Sequence, residues 1–68
     1  MTKGTRSIIR RKLDRSLKHT KRIDQYINYI ISEFDKIERR DGFYFDFKDL
    51  KIMNAQLHKI IEMLKNNI

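Results

Sequence analysis

The chain contains no proline, and its only two glycines are Gly4 and Gly42. Nothing between them is obliged to break a helix, so 37 consecutive residues, 5–41, are free to form one. Both glycines read as punctuation. Gly4 precedes the first helix, with Thr5 or Ser7 as its N-cap. Gly42 follows Arg39-Arg40-Asp41, where a left-handed cap glycine would sit, with Phe43 packing back on Ile37.

Apolar residues in this stretch recur every three or four positions. One row is Leu13, Thr20, Ile27 and Phe34; the other is Ile9, Ser16, Ile23, Ile30 and Ile37, with Leu17 and Ile31 widening the seam. A second helix is expected from Asp46, as N-cap, with Phe45 stapled onto Leu50. Its apolar row is Leu50, Met53, Leu57, Ile60, Ile61 and Leu64. The pattern predicts an all-α helical hairpin with helices over about 6–41 and 47–66 and a break at Gly42 to Phe45. The expected core is Ile27, Ile30, Phe34, Ile37, Leu50, Met53, Leu57, Ile60 and Leu64.

With 68 residues there is room for one domain, made of a basic segment 1–22 and a hairpin 23–68. A chain of this size buries little of its surface and is marginal alone. If the first helix reached Asp41 it would be about 52 Å long, against about 31 Å for the second. The N-terminal part, up to about Thr20, would then lack an intrachain partner although it carries Ile8, Ile9, Leu13 and Leu17. A long first helix in a homodimer resolves this; the alternatives are a three-helix bundle bent near His19-Thr20, and a projecting arm.

The charge is lopsided. Residues 1–22 hold nine Lys or Arg against Asp14, a net +8, while residues 23–68 hold seven against eight acids, a net −1. Arg11, Arg15, Lys18 and Arg22 share one helical stripe, which Tyr26 and Tyr29 continue. Such a stripe suits phosphates, where Lys and Arg displace condensed counterions, and tyrosines add stacking. The expected nucleic-acid-binding residues are Arg10, Arg11, Arg15, Lys18, Lys21, Arg22, Tyr26 and Tyr29, with DNA placed ahead of RNA. An acidic protein or an anionic membrane surface also suits a basic amphipathic helix. The competing reading is a protein-interaction module, such as a small inhibitor, scaffold or adaptor. It would dock through Ile8, Ile9, Leu13 and Leu17 or through the aromatic turn Phe43, Tyr44 and Phe45.

Catalysis is not expected. There is no cysteine, no glycine-rich phosphate cradle and little room for a water-excluding pocket. His19 and His58 are too few for a structural metal site, so no metal and no cofactor is expected. No run approaches a transmembrane helix and no signal-like apolar stretch follows the basic segment, which points to a soluble cytoplasmic protein. Size, an Ile-, Lys- and Asn-rich composition and the basic helical segment fit small phage-type DNA-binding or host-modulating proteins, at the level of fold analogy alone.

Overall fold

A computed structural model describes residues 1–37 and 42–68. The chain is a helical hairpin of α1 (Lys3–Phe34) and α2 (Gly42–Asn67), packed antiparallel along their length. It is a rod with principal extents of 56 × 14 × 13 Å.

α1 starts three residues earlier than its sequence suggests. Thr2 is extended, and its hydroxyl oxygen accepts the Thr5 N–H at 3.2 Å, so the cap is Thr2 rather than Thr5 or Ser7. Gly4 then lies inside the first turn. The helix is continuous through the seam's weak positions, where each hydroxyl finds a local backbone acceptor. Ser16 donates to the Lys12 carbonyl at 3.0 Å, and Thr20 to the Leu17 carbonyl at 2.9 Å. No bend divides α1 near His19-Thr20, and there is no third helix among the described residues.

α1 also stops sooner, at Phe34 rather than Asp41. Its last turn tightens: Lys36 N–H bonds the Glu33 carbonyl at 3.2 Å and Ile37 N–H the Phe34 carbonyl at 3.0 Å. The expected course through 38–41 lies outside the described residues. Gly42 is not a left-handed cap; no glycine has positive φ among the described residues, and Gly42 opens α2. Asp46 is therefore a helical residue instead of the N-cap. Phe43 and Ile37 are 64% and 51% exposed, so neither buries the other as the cap reading required. Phe45 points away from the seam at 61% exposure, its ring edge-on to Tyr44 at 5.3 Å instead of stapled onto Leu50.

The earlier turn removes most of the length mismatch. α2 reaches back as far as Asp14, which pairs with Lys65. Leu13 and Leu17 are consequently half-buried, as is Ile9; Ile8 stays 57% exposed. Only about the first nine residues of α1 extend past α2.

The larger correction concerns which face of α2 meets α1. At the loop end Phe34 packs against Tyr44 at 6.0 Å and Phe47 at 5.8 Å between ring centroids. Once those two rings are docked, the 3–4 helical repeat carries Lys51, Asn54, His58, Ile61 and Lys65 onto the same side. Tyr44, Asn54 and Ile61 are accordingly buried. The row expected as core is turned outward: Leu50, Met53, Leu57, Ile60 and Leu64 are 44%, 65%, 50%, 50% and 46% exposed. On α1, Ile27 is buried as expected, with Ile30 and Phe34 half-buried. The buried hydrophobic residues are Ile27, Tyr44 and Ile61 alone among the described residues.

Ile27 is 2% exposed and central, so Ile27→Ala should cost about 2–4 kcal/mol, large for a small domain. Ile52, 57% exposed on the outer side of α2, is the contrast: Ile52→Ala should shift stability by no more than about 0.5 kcal/mol. Urea denaturation followed by circular dichroism measures both. Equal losses would mean that α2 is rotated differently.

Candidate nucleic-acid interface

Four of the expected site residues form one outward ridge. At about 100° per residue, Arg11, Arg15, Lys18 and Arg22 lie about 120–180° from the buried Ile27 direction and span about 17 Å of α1. All four are exposed, and Tyr26 and Tyr29 extend the ridge at 63% and 68% exposure. Arg10 and Lys21 are exposed but stand to one side of it. Lys21 lines a groove of about 400 Å³ between the helices, with Thr20, Asp24, Asn54, Ala55, His58, Lys59 and Glu62. Arg10 groups with Lys3 and Arg6 around a shallow depression near the start of α1. This second basic row, spaced 3 and 4, was present in the sequence but unrecognised there.

The field along α1 is little opposed. Asp14, the one acid of residues 1–22, is engaged by Lys65 from α2. None of the nine Lys and Arg side chains in that segment has an ion-pair partner among the described residues. Among the described residues no internal salt bridge has to be broken before these cations meet an anion.

The competing docking residues separate into two groups. Ile9, Leu13 and Leu17 are half-buried, which leaves Ile8 as the exposed member of that set. In the aromatic segment Tyr44 is buried at 8%, with Lys48 Nζ 5.2 Å from its ring centroid, while Phe43 and Phe45 are exposed.

A polar cluster at the middle of the helix pair went unread in the sequence. Asn54 Nδ2 donates to the Thr20 carbonyl at 2.9 Å. His58 Nδ1 lies 2.6 Å from Thr20 Oγ1, and His58 Nε2 lies 2.8 Å from Glu62 Oε1. Hydroxyl, imidazole and carboxylate thus stand in the order of a nucleophilic relay. The geometry is nevertheless that of a clasp. Thr20 is 4% exposed, and its hydroxyl is already engaged by the Leu17 carbonyl and His58. The spacing Asn54–His58–Glu62, four and four, was a legible signal; its partner Thr20, more than 30 residues away, was not.

Among the described residues no three His, Asp or Glu side chains converge as a metal site, and no helix is long and apolar enough to cross a membrane. No family model, curated protein or solved structure matches the chain.

A double-mutant cycle checks the clasp. Thr20→Val, which strands the half-buried His58 ring nitrogen, should cost about 1–3 kcal/mol, and His58→Ala about 0.5–1.5 kcal/mol, because the Thr20 hydroxyl keeps the Leu17 carbonyl. Their coupling should be at least about 0.5 kcal/mol. Strictly additive losses in denaturation experiments would show that the two side chains do not meet.

Proposed function

We propose that the protein is a non-enzymatic nucleic-acid binder that grips phosphates along the outer ridge of α1, acting in the cytoplasm with weak or no sequence specificity. One observation carries the reading: four cations on one helical face, exposed and without an ion-pair partner among the described residues, in a segment of net +8 whose acid is engaged elsewhere. A ridge of about 17 Å spans several phosphates along one strand of a duplex. Lys3, Arg6 and Arg10 add a second contact row where α1 extends past α2. Tyr26 and Tyr29 have free ring faces for stacking on unpaired bases. The chemistry is electrostatic, and that favours backbone over base-edge recognition.

Binding to duplex DNA across a salt series tests it. Four phosphate contacts per chain give a slope of about −4 in log affinity against log salt, at roughly 0.9 per contact. Replacing Arg11 and Arg15 together with Gln should flatten the slope by about 2 and leave helicity unchanged, because both side chains point into solvent. No binding to any polynucleotide at low salt would remove this function and put an acidic protein surface in its place.

A further inference from the structure

The basic ridge is one of two cationic rows on α1. The second row, Lys3, Arg6 and Arg10, is exposed and surrounds a shallow depression with Ser7. At about 100° per residue the two rows are centred about 115° apart around the helix. The strip between them lies about 130° from the buried Thr20, so it faces away from α2. Lys3 and Arg6 belong to the part of α1 that extends past α2, and Arg10 stands at its border. Both flanks of the strip are therefore open to a bulky partner. On a helix about 11 Å across, rows so placed are about 9 Å apart at the surface, and the flexible Lys and Arg stems carry their charges further out.

We infer that α1 lies in the major groove of duplex DNA, with the ridge on the phosphates of one strand and the second row on those of the other. This rests on the phosphate-binding reading above and names the polyanion. The major groove of B-form DNA is about 12 Å wide and admits a helix, while the minor groove, about 6 Å wide, does not. Two rows about 9 Å apart at their base and wider at their tips fit the first dimension. A single strand has one backbone and meets one row at a time. Duplex RNA has a deep, narrow major groove that is closed to side chains.

The strip that would face the groove floor carries Ser7, Asp14 and Gln25, all exposed. Asp14 is the group that would repel a duplex there, and Lys65 reaches across from α2 to engage it. The remaining two, Ser7 and Gln25, are polar, uncharged and about 27 Å apart along the helix. Two such isolated groups read little sequence, so phosphate contacts on the two flanks dominate and specificity stays weak.

Binding over a salt series separates two rows from one. Seven phosphate contacts per chain, four from the ridge and three from the second row, give a slope of about −6 on duplex DNA, where the ridge alone gives about −4. Replacing Lys3, Arg6 and Arg10 together with Gln should reduce the slope by about 3 and leave helicity unchanged, because all three are exposed. Duplex RNA of the same sequence should bind at least about tenfold more weakly at equal salt. Guanine N7, on the major-groove edge, should be protected from dimethyl sulfate when the protein saturates a DNA duplex, and netropsin, a minor-groove ligand, should not displace it. A slope near −4 that the Lys3, Arg6 and Arg10 variant leaves unchanged, while the Arg11 and Arg15 variant still flattens it, would overturn the two-strand placement and leave phosphate binding standing. Equal affinity for RNA and DNA duplexes, or unprotected guanine N7, would overturn it as well. No binding to any polynucleotide at low salt would remove both the placement and the function on which it rests.

Discussion

Asn54 sits midway along α2 at 6% exposure, and its amide reaches one acceptor, the Thr20 carbonyl at 2.9 Å. A buried amide without a partner is destabilising by a few kcal/mol, on the order of a small domain's entire stability. That contact therefore fixes how α2 is rotated about its own axis. His58, one turn on, lands on the Thr20 hydroxyl, and Ile61 follows into the seam. At the loop end Tyr44 and Phe47 against Phe34 impose the same rotation. Polar and aromatic contacts agree on one geometry, and no buried side-chain polar atom is left unsatisfied among the described residues.

The consequence is a protein that uses its polar row inside the hairpin and its most apolar row outside. Polar groups at a helix–helix seam give up stability and gain a unique register and rotation. Here they also leave an exposed face running from Leu50 to Leu64. Among the described residues the buried hydrophobic side chains are Ile27, Tyr44 and Ile61, a small core for a helical pair. The basic ridge of α1, Arg11, Arg15, Lys18 and Arg22, is exposed and turned away from the seam.

The all-helical class and the hairpin were legible in the sequence, because helical periodicity and the absence of proline leave few other folds. The basic ridge was legible too, since Arg11, Arg15, Lys18 and Arg22 are local in sequence and solvent faces need no partner to define them. The seam of α2 was not. Two rows with the same 3–4 spacing run along that helix, and composition favours Leu50, Met53, Leu57, Ile60 and Leu64. The choice between them is made by Thr20 and Phe34, on the other helix. The end of α1 was missed for a related reason: nothing at Phe34-Asp35-Lys36 breaks a helix, and the turn comes where Phe34 can meet Tyr44 and Phe47. Gly42, the conspicuous breaker, uses none of its conformational freedom.

The rotation of α2 is what most else depends on, and nuclear Overhauser contacts within one isotope-labelled chain measure it directly. The structure predicts contacts from the His58 ring to the Thr20 methyl, and from Ile61 to the α1 side of the seam, with Leu57 methyls showing none to Ile27. Strong intrachain contacts between Leu57 and Ile27, with the His58 ring facing solvent, would contradict it.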